Sequence, residues 1–135
     1  MFGKTHSKPQ SQIDSLIGAN AVIGGDINFS GGLRVDGHVN GNVIATPGKP
    51  STLVLSEHAR VNGEVSVTHL VTNGTINGSV SASEYLELQG KARVTGDVHY
   101  KAMQIQLGAI IEGRLIHGKS DADDKVVAFK SGSGE

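Results

Sequence analysis

The chain has 135 residues, enough for one domain, with 19 glycines, three Phe, two Tyr, no Trp and no Cys. The missing cysteine excludes a disulfide framework and any thiolate metal site, and a net charge of −1 excludes the strongly basic footprint of a nucleic-acid binder. No stretch approaches the roughly 20 apolar residues of a membrane-spanning helix, and Met1-Phe2-Gly3-Lys4 lacks the apolar core of a signal peptide, which predicts a cytoplasmic protein.

Residues 1–13 form a polar tail containing Phe2, Lys4, His6 and Lys8 and no acid. An apolar residue beside cations is drawn to anionic lipid at about 1 kcal/mol per basic residue near the surface. Met1, Phe2, Lys4 and Lys8 are therefore the candidate membrane-targeting residues, a weak anchor that many copies would strengthen. The plainer alternative is an ordinary disordered terminus.

From residue 14 a single motif takes over: aliphatic, any residue, Gly, any residue, aliphatic. It reads Ile23-Gly24-Gly25-Asp26-Ile27, then Val39-Asn40-Gly41-Asn42-Val43, then Val61-Asn62-Gly63-Glu64-Val65. It continues as Ile76-Asn77-Gly78-Ser79-Val80, Val94-Thr95-Gly96-Asp97-Val98 and Ile111-Glu112-Gly113-Arg114-Leu115. Chance gives roughly one such match at this composition. The six copies begin 16, 22, 15, 18 and 17 residues apart. The long interval contains Thr46-Pro47-Gly48-Lys49-Pro50-Ser51-Thr52, whose composition predicts a loop inserted between the second and third repeats. Earlier in each period stands an aliphatic pair, Leu33/Val35, Leu53/Leu55, Leu86/Leu88 and Ile105/Leu107, with Leu70 and Thr72 in the fourth.

Strand alternation sends one set of side chains inward. In the third repeat that set is Leu53, Leu55, Ala59, Val61, Gly63, Val65 and Val67; in the fifth it is Leu86, Leu88, Ala92, Val94, Gly96, Val98 and Tyr100. Seven inward positions per period of about 17 residues fit three short strands separated by corners, with Gly where the backbone bends sharply or leaves no room for Cβ. The fold class is all-β: a single-stranded, three-sided parallel β-helix of about six turns over residues 14–117, roughly 30 Å long. Tandem βαβ units would need helical periodicity and a β-sandwich would not repeat one motif. A left-handed coil needs a strict six-residue step, which only Ile17–Ile27 imitates, so the right-handed form is expected. Residues 118–135 are a polar, Gly/Ser-rich tail with an apolar patch at Val126-Val127-Ala128-Phe129.

A coil of this kind ends in unpaired backbone groups and a cut core, edges that natural proteins usually cover. No capping helix is evident at either end. End-to-end self-assembly is therefore expected through Ile17, Ile23, Ile27 and Phe29 at one end and Leu107, Ile111 and Leu115 at the other.

The Gly-centred turns from about Ile17 to Ile116, flanked by short polar tails and opening with Met1-Phe2-Gly3-Lys4, resemble the bactofilins. The resemblance covers roughly 100 residues. It implies a right-handed β-helix that polymerises without nucleotide into non-polar filaments through contacts between like ends. It also implies a bacterial cytoskeletal role in cell shape or in positioning cell-wall and polar proteins, with the N-terminal tail holding the polymer at the inner face of the cytoplasmic membrane.

Side-chain chemistry offers less. Three imidazoles would have to converge to hold zinc, and His6, His38, His58, His69, His99 and His117 are widely spaced, although His99 and His117 are candidates for neighbours on adjacent turns. They are expected to be solvated or to sit at corners. The outward charges Glu64, Asp97, Glu112, Arg60, Arg93 and Arg114 suggest surface pairs, and Asn40, Asn62 and Asn77 share one motif position, where stacked amides form ladders. No catalytic, cofactor-binding or metal-binding residue is expected, nor any nucleic-acid partner. The alternatives are a left-handed β-helix enzyme of the acyltransferase or carbonic-anhydrase type, and a monomeric solenoid scaffold that binds a peptide partner.

Overall fold

The computed structural model describes residues 12–118. Among the described residues there are sixteen strands and no helix. Every strand pair is parallel, with each strand lying over the equivalent strand of the turn before it.

Six turns carry three faces. The first face holds β1 (Ser15–Ile17), β4 (Gly31–Val35), β7 (Ser51–Leu55), the second halves of β9 (Val65–Thr72) and β11 (Val80–Leu88), and β14 (Met103–Ile105). The second face is a separate six-stranded sheet of β2 (Val22–Gly24), β5 (His38–Asn40), β8 (Arg60–Asn62), β10 (Thr75–Asn77), β12 (Arg93–Thr95) and β15 (Ile110–Glu112). The third face holds β3 (Ile27–Phe29), β6 (Val43–Ala45), the first halves of β9 and β11, β13 (Val98–Tyr100) and β16 (Leu115–His117). β9 and β11 run across the corner from the third face to the first, and β11 changes register between Ala82 and Tyr85 as it does so.

The six motifs found in sequence stack in register: Ile23 on Val39, Val39 on Val61, Val61 on Ile76, Ile76 on Val94 and Val94 on Ile111. Each centre points inward because strand side chains alternate and only one face is apolar. The inward residues of the middle turns form one continuous core in which Val35, Val39, Val43, Leu53, Val61, Leu70, Ile76, Leu86 and Val98 are fully buried. Each such side chain contributes about 1.5–3 kcal/mol relative to exposure.

Two residues separate the second face from the third in every turn, and the first is always Gly. A Cβ on Gly41, Gly63, Gly78, Gly96 or Gly113 would overlap the backbone carbonyl of the corresponding glycine one turn earlier. The column is glycine because neighbouring backbones close up at this corner, and at Gly96 the positive φ of 147° adds a conformational reason.

Two expectations are corrected. The inserted loop is shorter than its composition suggests, because Ser51 and Thr52 are buried at the start of β7. Their polar groups are accommodated there: the Ser51 N–H donates to Thr68 Oγ1 at 2.8 Å, and the Thr68 N–H donates to Ser51 Oγ at 3.0 Å. The sixth turn's inward pair is Met103/Ile105, which lie over Leu86 and Leu88, rather than Ile105/Leu107. Leu107 falls in the corner between β14 and β15 and is wholly exposed.

Candidate assembly surfaces at the two ends

Inter-turn bonding has a direction. At the glycine corner, N–H groups of one turn donate to carbonyls of the next: Gly25 to Asn40 at 2.9 Å, Gly41 to Asn62 at 3.1 Å and Gly96 to Glu112 at 2.9 Å. Val98 donates to Arg114 in the same way at 2.8 Å. Among the described residues no seventh turn faces the N–H groups of Gly113 and Leu115, and no preceding turn faces the carbonyls of Gly24 and Asp26. Such open edges are templates for pairing with another chain.

The apolar surface has the same distribution. Among the described residues, the exposed large hydrophobic side chains are Ile13, Leu16 and Val22 in or before the first turn, and Ile105, Leu107, Ile110 and Leu115 in the sixth. The four middle turns expose none of this kind. Of the residues singled out in sequence, Ile17, Ile23, Ile27 and Phe29 lie in the first turn, half-buried against the last residues of the core. Ile111 is half-buried in β15, while Leu107 and Leu115 are exposed. The structure thus brings these seven residues to two separate ends.

The seven interface residues expected from sequence do not include Leu16, Val22 and Ile110, which occupy outward positions. The signal was in the columns. Leu16 is in register with Arg34, Val22 with His38, and Ile110 with Arg93, so each end turn is apolar where its neighbour is cationic or imidazole.

Polar columns clamp the sides between the ends. Asn62 Nδ2 donates to Asn40 Oδ1 and Asn77 Nδ2 to Asn62 Oδ1, both at 2.8 Å, forming the expected amide ladder. At the glycine corner Asp26, Asn42 and Asp97 each accept the N–H of the residue one turn on, Asn42, Glu64 and Arg114, at 2.8, 2.8 and 3.0 Å. The Arg114 guanidinium also reaches Asp97 Oδ2 at 2.8 Å. These side-chain and backbone hydrogen bonds from Arg114 hold the Asp97 carboxyl below its ordinary range. On the first face Tyr85 donates to Glu87 at 3.2 Å, and its phenol is pushed up by burial first and by the Glu87 charge second.

The histidines do not converge. His99 is in register with Ile116, not with His117. His117 instead packs against the Tyr100 ring at 5.4 Å between centroids, with Nε2 at 3.0 Å from the Lys101 carbonyl. His69 is not solvated as expected: it is buried in β9, with Nδ1 at 3.0 Å from Thr68 Oγ1 and 3.3 Å from the Ser51 carbonyl, beside the base of the inserted loop. Among the described residues no group of three or more His, Cys, Asp or Glu is placed to hold a metal ion, and no helix is long and apolar enough to cross a membrane.

The same turns, Ser15 to Ile116, match a family model described as bactofilin, polymer-forming cytoskeletal. The chain belongs to the bactofilin family. Bactofilin BacP of Myxococcus xanthus (strain DK1622) is 28% identical over 109 residues, which cover 80% of this chain and 44% of BacP. Bactofilin BacO of the same organism is 26% identical over 102 residues, covering 76% of this chain and 78% of BacO. The aligned part is thus less than half the length of BacP, and no solved structure matches the chain. Bactofilins are polymer-forming cytoskeletal proteins. That family character agrees with a solenoid whose described apolar exposure is confined to its two ends. The proposed membrane-targeting residues Met1, Phe2, Lys4 and Lys8 lie outside the described residues.

Proposed function

We propose that this bactofilin assembles end to end, without nucleotide, into non-polar filaments through its first and sixth turns. The observation that carries this reading is the confinement of exposed large hydrophobic residues to those turns, with Leu16 at one end and Leu107 and Leu115 at the other free to meet a second copy. Apolar area buried between copies, together with backbone pairing at the open edges, drives the association. No nucleoside phosphate is needed, because every element of the contact is supplied by the chain itself. The filament acts in bacterial cell shape or in scaffolding cell-envelope proteins, and Met1, Phe2, Lys4 and Lys8 attach it to the inner face of the cytoplasmic membrane.

Replacing Leu115 by Lys tests the assembly. The variant is expected to keep the β-sheet circular dichroism of the parent, because residue 115 is already half exposed. It should no longer pellet on ultracentrifugation in nucleotide-free buffer and should show no filaments in negative stain. Leu16→Lys tests the other end in the same way. Undiminished filaments in both variants would place the contact elsewhere on the solenoid.

A further inference from the structure

The second face keeps one form in all six turns: three-residue strands whose outer residues point outward and whose central residue points into the core. Its leading outward column runs Val22, His38, Arg60, Thr75, Arg93 and Ile110. Among the described residues, the arginines off this face are each paired with an aspartate: Arg34 with Asp36 at 3.0 Å and Arg114 with Asp97 at 2.8 Å. Lys91 and Lys101 have carboxylate partners as well. Arg60 and Arg93 are exposed, and no carboxylate of the described residues is in salt-bridge range of either. The guanidinium groups left free thus fall in one column of one face, two strand steps or about 10 Å apart.

The surroundings favour keeping that charge available. The second outward column is neutral from Gly24 through Thr95 and becomes acidic only at Glu112 in the last turn. Along the bordering corner, Asp26 and Asp97 are turned along the axis to the N–H groups of Asn42 and Arg114. The cationic column is closed at its two ends by apolar side chains, Val22 at 64% exposure and Ile110 at 39%. Exposed apolar groups flanking cations on a flat surface match the boundary between phosphate headgroups and acyl chains. A nucleic acid, with a phosphate every 3.4 Å or so per strand, would call for a denser array of cations.

We propose that the second face is the side of the protein that lies on an anionic-lipid membrane, with Arg60 and Arg93 at the phosphates and Val22 and Ile110 entering the headgroup layer. The inference takes its setting from the membrane association proposed above, but it does not depend on the N-terminal tail. Two arginines per copy give modest attraction, and assembly multiplies it along the filament.

The test is flotation of the full chain with vesicles containing phosphatidylglycerol, beside vesicles of phosphatidylcholine alone. Arg60→Gln/Arg93→Gln should partition roughly thirtyfold more weakly than the parent. Arg60→Lys/Arg93→Lys should stay close to the parent, and Glu112→Gln should bind a few-fold more tightly. Each variant is also pelleted without vesicles, so that assembly is read separately. Flotation of the Gln variant equal to the parent overturns the proposal. So does equal flotation on phosphatidylcholine, failure of the Lys variant, or loss of pelleting by the Gln variant alone. Arginine-dependent binding to duplex DNA or to an acidic polypeptide, with none to vesicles, also overturns it in favour of that partner. Phe2→Ser/Lys4→Gln separates the two membrane readings. If it sinks while the Gln variant floats, the tail acts alone; if it floats while the Gln variant sinks, the face stands and the tail assignment fails.

Discussion

The middle turns and the end turns of this bactofilin are built from the same motif, yet they face opposite physical problems. In turns two to five each inward residue is sandwiched by its equivalents above and below, and Val39, Val61, Ile76 and Val94 are between 0% and 1% exposed. In turns one and six the same motif positions, Ile23 and Ile111, have such a neighbour on one side and are only half-buried. The motif therefore does not determine burial by itself. Burial comes from having a turn on both sides, which the terminal turns lack among the described residues.

The sharpest way to break this contrast is in the core. Leu86→Ala, in the fully buried middle, should cost about 2–5 kcal/mol and lower the urea midpoint of an assembly-deficient background accordingly. Leu107→Ala, at a wholly exposed corner of the sixth turn, should change stability by no more than about 0.5 kcal/mol. Comparable losses at the two sites would mean that the sixth turn is covered within the monomer. A smaller effect lies in the amide ladder. Asn62→Ala removes both ladder bonds from exposed positions and should cost about 1 kcal/mol, whereas a loss within noise would mean that water replaces them fully.

The smallest effect is expected at the last rung, where Asp97 meets Arg114. Its carboxyl is held below its ordinary value of 3.8 in the folded chain, so the contribution is complete above that value and disappears as the pH falls through the lower folded one. Asp97→Asn should therefore lower the melting temperature slightly in the neutral region and converge on the parent below about pH 4, which flattens the acid limb of the profile. A parallel downward shift across the whole range would point instead to the backbone hydrogen bond from Arg114.

Much of this architecture was legible in the sequence because a solenoid repeats its constraints. The intervals between Ile23, Val39, Val61, Ile76, Val94 and Ile111 are the same residues that stack in register, and three Asn at one motif position form one ladder. What escaped were the places where chain composition and position in the coil disagree. Ser51 and Thr52 look like loop residues, but both are buried at the start of β7, where Ser51 pairs with Thr68. Ile105 and Leu107 look like the usual inward pair, but the corner begins at Gln106 and turns Leu107 out to solvent. His99 and His117 are one residue out of register, which alternation converts into opposite directions. At the ends, sequence drew attention to inward residues such as Ile17 and Ile27, whereas Val22 and Ile110 become apparent only when columns are compared across turns.

The inserted loop has one more implication. Between Val43 and Val65 the chain spends 22 residues on a circuit that elsewhere takes as few as 15, and the surplus between β6 and β7, residues 46–50, is exposed to solvent. Each circuit still advances by a single strand spacing of about 4.8 Å. Residue count and axial length are thereby uncoupled: such a coil is a ruler graduated in turns, whose flanks can gain or lose sequence while the distance from one end to the other stays fixed.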